Sequence, residues 1–163
     1  ANHATFAAKS ILKILPTLLN DLTNITLRTE MASASLSAGL AFSSTKTAIA
    51  HNLSYPITLG WGVPHGIACS FTLPTILQSV VSIGGFREES LKEIFGDNLT
   101  KAADNLKIYL ERFNIGTTFL ELGIPHEKSK KIIDEAFIGE RGLNFIGSKE
   151  NFLKAADSFG LLP

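Results

Sequence analysis

The apolar residues of this 163-residue chain recur three and four positions apart along its whole length, and strict alternation never persists for more than a few residues. The first pattern marks amphipathic helices, and the second would mark half-buried strands. Without sustained alternation there is little from which to build a sheet. The fold class expected is therefore all-α, with roughly seven to nine helices. No internal repeat occurs, nor a GxGxxG or P-loop pattern, and Gly84-Gly85 follows a helical run, the wrong place for a dinucleotide turn.

Proline, glycine and small polar residues divide the helical pattern. Residues 4–22 carry Phe6, Ile11, Leu12, Leu15, Leu18 and Leu19 at helical spacing, with a kink or break expected at Pro16. Thr26 or a polar neighbour caps a second helix running to about Phe42, whose many Ala, Ser and Gly residues suit close packing against another helix. After the break at Ser43-Ser44-Thr45 comes a helix carrying His51, which Pro56 should end. The run from Gly66 to Gly85 is apolar on nearly all sides, as a central helix would be, with a kink at Pro74. Arg87 to Phe95 and Leu99 to Phe113 read as surface helices, the second stopped at Asn114-Ile115-Gly116. A short helix is expected from Thr117 to Gly123, another from His126 to Phe137, and a last one from Lys149 to Phe159, capped by Ser148.

Composition narrows the partners. With 45% hydrophobic and 18% charged residues, the chain can bury a core of its own. Fifteen basic and fifteen acidic residues cancel, which points away from nucleic acid and anionic membranes. No uninterrupted apolar stretch is long enough to span a bilayer. A single cysteine, Cys69, excludes an intrachain disulfide and fits a reducing, cytoplasmic compartment. Its apolar surroundings in the sequence suggest an inert buried thiol. The opening ANHATFAAKS lacks a signal peptide's basic start and apolar core, and lacks Met, so residues 1–163 read as a helical domain cut from a longer protein.

The most informative stretch is KTAIAHNLSYPITLGWGVPHGIA, Lys46 to Ala68. It holds two of the four histidines, His51 and His65, fourteen positions apart. His51 is expected near the end of one helix and His65 at the start of the next, with the Gly-containing turn folding them together. Neutral imidazoles so placed are good ligands for a divalent transition metal. Trp61, in the turn between them, either covers the core or walls a pocket. His3 and His126 read as bystanders.

This stretch resembles the signature of the iron-containing (group III) alcohol dehydrogenases. In that family a histidine near a helix end is followed fourteen residues later by the histidine of a Pro-His-Gly, here His51 and Pro64-His65-Gly66. Ala34 to Phe42 is similar to the family's small-residue helix leading into the site. The resemblance implies an all-helical C-terminal domain, with His51 and His65 as half of a four-ligand site for Fe2+ or Zn2+. The other two ligands, an Asp and a His four apart on a helix, are not found in this chain. Where the family usually carries a further histidine four residues after the first ligand, this chain has Tyr55. That spacing puts Tyr55 on the face of His51, so its hydroxyl is a candidate proton relay or a packing substitution.

The chemistry implied by the resemblance is reversible hydride transfer between NAD or NADP and a small-molecule alcohol or aldehyde, with the nucleotide bound mainly by a missing N-terminal domain. Lys46-Thr47 and Ser54 to Thr58 look like a branch acting on phosphonoacetaldehyde. A homodimer is compatible with this reading. Two other classes stay open, a lyase domain of the dehydroquinate synthase type and a non-catalytic helical binding domain.

Overall fold

The computed structural model describes residues 2–162, which form ten helices and no strand among the described residues. The all-α expectation holds. Helices α1 (Asn2–Leu18) and α2 (Ile25–Ser43) pair as an antiparallel hairpin. Pro16 does not break α1, which runs two residues past it. A proline cannot donate to the carbonyl four residues back, and here the Tyr109 hydroxyl donates to that Leu12 oxygen at 3.3 Å. Asn24, rather than Thr26, caps α2 by accepting the Leu27 N–H. The tight packing expected of this small-residue helix is limited. Only Ala34 is fully buried, and Leu36, Leu40 and Phe42 are exposed.

Helix α3 (Ile49–Trp61) corrects the sequence reading twice. It starts only two residues before His51, so His51 lies in its first turn and not near its end. It also continues through Pro56. An interior proline costs about 3 kcal/mol, but Ile49, Leu53 and Ile57 recur one turn apart and are fully buried in the main apolar cluster. Each such side chain contributes about 1.5–3 kcal/mol on burial, which outweighs the proline. The helix stops at Gly62, whose φ of 66° lies in the left-handed region glycine tolerates, and whose N–H returns to the Thr58 carbonyl.

The apolar run after His65 is two short helices, α4 (His65–Ser70) and α5 (Leu73–Ser79), with Pro74 tolerated in the first turn of α5. Helix α6 (Gly85–Phe95) and α7 (Leu99–Glu111) follow, α7 capped by Asn98 and ended by Asn114 at φ 57°. The short helix expected at residues 117–123 is absent. Instead Glu121 accepts the Thr117 and Thr118 N–H groups and the Thr118 hydroxyl, holding this stretch as turns. Helix α8 (His126–Ala136), a four-residue α9 (Glu140–Leu143) that periodicity did not reveal, and α10 (Lys149–Ser158), capped by Ser148, complete the chain.

The main cluster joins α3 and α4 to α8, α10 and the 119–124 turns, with Phe71 and Phe119 edge to face at 5.1 Å. Trp61 packs against this cluster as a partial cover. A second cluster, around Leu77, Val80, Leu99, Ala103 and Leu106, ties α5 to α7 and receives Leu12 of α1. No helix among the described residues is long and apolar enough to cross a membrane.

Candidate metal centre

The turn at Gly62–Pro64 reverses the chain between α3 and α4. It carries the His65 ring to within 4.8 Å of the His51 ring, edge to face. Tyr55, one turn after His51, stands 5.2 Å from the His51 ring and 5.9 Å from the His65 ring. The three residues singled out in the sequence thus meet in space. His3 and His126 are exposed and stand outside this group.

Ser54 stands against the Nδ1 side of His65. Fully buried, it donates its one hydroxyl proton to the His51 carbonyl at 2.7 Å. Its oxygen is left to accept at 3.4 Å from His65 Nδ1. An Nδ1–H would satisfy that oxygen, and this is the tautomer whose Nε2 can bind a metal. Burial, followed by the like charges of His65 and Arg141, holds His51 below its ordinary value of 6.5. The lowered value favours the uncharged His51 ring, the form that binds a metal.

Cys69 completes the group, and here the sequence reading needs correction. The thiol is half-buried, with Sγ 3.6 Å from His51 Nδ1 and 3.6 Å from His65 Nε2. The signal was present in the sequence, since Cys69 lies four residues after His65 on one helix face. Among the described residues, His51, His65 and Cys69 form the one cluster of three metal-binding side chains, their ligand atoms all within 4.8 Å. Two imidazole nitrogens and a sulfur fit a divalent transition metal such as zinc or iron.

A cleft of about 620 Å³ opens beside His51, lined by Lys46, Thr47, Asn52, Glu140 and Arg141 among others. The Arg141 guanidinium lies 5.1 Å over the Tyr55 ring, and its Nε donates to the Thr47 hydroxyl at 3.0 Å. Lys46 pairs with Glu140, whereas no carboxylate among the described residues lies within ion-pair distance of Arg141. Asn144 donates to the Lys46 carbonyl at 2.7 Å and Asn52 to the Ala136 carbonyl at 2.6 Å, fastening both walls. Arg141, Asn52 and Asn144 carry no local signal. Some ninety residues separate Arg141 from its partner Thr47, and only tertiary packing joins them.

Residues 2–151 match the family model of the Fe-containing alcohol dehydrogenase family, C-terminal part. The chain belongs to the iron-containing alcohol dehydrogenase family. It is similar to the NAD-dependent methanol dehydrogenase of Bacillus methanolicus, 26% identical over 140 residues covering 80% of this chain and 37% of that protein. It is also similar to the 1,3-propanediol dehydrogenase of Klebsiella pneumoniae, 25% identical over 118 residues, 69% of this chain and 29% of the relative. The chain therefore spans about a third of the length of these curated relatives. An alcohol dehydrogenase from Oenococcus oeni shares the fold, with a TM-score of 0.81 at 21% identity over 96% of this chain and 44% of that one. The all-helical architecture and the family resemblance both hold.

Proposed function

We propose that the chain is the metal-binding part of an NAD- or NADP-linked alcohol dehydrogenase or aldehyde reductase, with His51 and His65 as ligands of Fe2+ or Zn2+. The observation that carries the reading is the meeting of two imidazoles from the starts of α3 and α4, with a buried hydroxyl against one of them. When bound, the metal supplies Lewis acidity at the substrate oxygen and the nicotinamide carries the hydride. In this reading the nucleotide is held mainly by a further domain of a longer protein.

This chain's own residues bind, orient and move protons. Ser54 holds the His65 ring so that Nε2 faces the centre, the kind of outer partner that fixes metal ligands. Burial around His51 favours the uncharged ring. The Tyr55 hydroxyl exchanges a proton with the substrate oxygen, and the Arg141 cation above its ring holds it in place. Lys46, Thr47, Glu140 and Arg141 line the cleft beside His51, and the guanidinium, with no carboxylate among the described residues at ion-pair distance, suits an anionic substrate. That supports phosphonoacetaldehyde as the substrate, reduced to hydroxyethylphosphonate.

The test uses a longer protein that carries these residues together with a nucleotide-binding domain. Metal content after dialysis and NADH or NADPH oxidation with phosphonoacetaldehyde are measured for the parent, His51→Ala and His65→Ala. Both substitutions should remove the metal and the turnover. A protein that keeps metal and activity without either histidine would overturn the reading.

A further inference from the structure

We propose that Cys69 is a third donor of this centre, so that His51, His65 and Cys69 together take Zn2+ or Co2+. The inference rests on the reading of the two histidines as ligands and adds a sulfur to it. Cys69 Sγ stands 3.6 Å from His51 Nδ1 and 3.6 Å from His65 Nε2. Around a tetrahedral zinc with ordinary Zn–N and Zn–S bonds, the nitrogen-to-sulfur edge is roughly 3.5 Å. Two edges of such a site are thus already in place. The ligand atoms all lie within 4.8 Å of one another, so the nitrogen-to-nitrogen edge closes by rotating imidazoles about their side-chain bonds.

The placement of these atoms has a structural cause. Helix α4 is anchored by Ala68, and the Phe71 that follows it is fully buried too, which fixes where the intervening Cys69 points. Ser54 occupies the Nδ1 side of His65, and Nε2 is the nitrogen nearer the sulfur. His51 and Cys69 also border a second cavity of about 370 Å³, through which an ion can enter. The thiol binds as thiolate, its proton leaving to solvent as the sulfur–metal bond forms. A soft sulfur beside two imidazoles favours zinc.

The test is a titration of the 163-residue chain with CoCl2 under anaerobic, reducing conditions, followed by absorbance and then by displacement with Zn2+. One ion should bind per chain, with a sulfur-to-cobalt charge-transfer band in the near ultraviolet and the visible bands of tetrahedral cobalt. Cys69→Ser should abolish the charge-transfer band and weaken Zn2+ binding at least about tenfold, the loss that even an outer partner of a metal ligand brings. Matched circular dichroism of the variant shows that its fold is kept. Cobalt bound without that band, unchanged affinity in Cys69→Ser, or no saturable binding by the parent chain would each overturn the proposal. Because the band reports sulfur ligation and not hydride transfer, it can be present while the longer protein with its nucleotide-binding domain shows no dehydrogenase activity, and that result would sink the functional reading alone.

Discussion

Tyr55 is the residue whose two roles can be separated by a single atom. Its ring packs at the edge of His51 and under Arg141, while its hydroxyl alone can move a proton. Tyr55→Phe keeps the packing and removes the hydroxyl. In the longer protein it should lower kcat by about 10²-fold or more, the usual worth of a positioned proton donor, while metal content after dialysis stays at the parent level. Equal turnover across pH in parent and variant would leave Tyr55 a packing role only.

At the scale of elements, the four-residue α9 matters more than its length suggests, because it carries Arg141 and Glu140 to the cleft wall. Its position depends on Gly142. A Cβ there would stand 2.6 Å from the Phe137 carbonyl carbon and oxygen and 2.7 Å from the Ala136 oxygen, all backbone atoms that cannot swing aside. Gly142→Ala should therefore destabilise the chain by about 1–3 kcal/mol, the usual cost of overpacking, as read from urea unfolding. An unchanged midpoint would show that α9 shifts without cost. Helix α3 shows the opposite balance, where burial of Ile49, Leu53 and Ile57 holds a helix through Pro56 that local preference alone would end there.

At the scale of the whole molecule, Glu121 links pH to stability. Burial raises its pKa, but the Thr118 hydroxyl and the Thr117 and Thr118 N–H groups more than offset this, and the carboxyl lies below its ordinary value of 4.5. In the unfolded chain those bonds are lost, so between the folded value and 4.5 the unfolded state binds more protons. Its stabilising contribution is thus present above about pH 4.5 and lost as pH falls through the lowered folded value. Glu121→Gln should flatten the acid limb of a plot of unfolding free energy against pH. A variant with the same acid slope as the parent would assign that slope to other groups.

The sequence by itself determined the helical class, the approximate limits of α2, α6, α7, α8 and α10, and the meeting of His51 with His65, because these rest on local periodicity, on Gly and Pro punctuation and on a short turn. The same local information put Tyr55 on the face of His51. Tertiary structure decided what depends on distant partners. Pro56 stays inside α3 because the core repays it, and residues 117–123 form turns because Glu121 takes their N–H groups. Arg141 reaches the site because residues some ninety positions apart are packed together. Cys69 lies between these cases. Its spacing from His65 is local, but its approach to His51 exists only once α3 and α4 have folded against each other, and that contact sets a half-buried thiol beside both imidazoles.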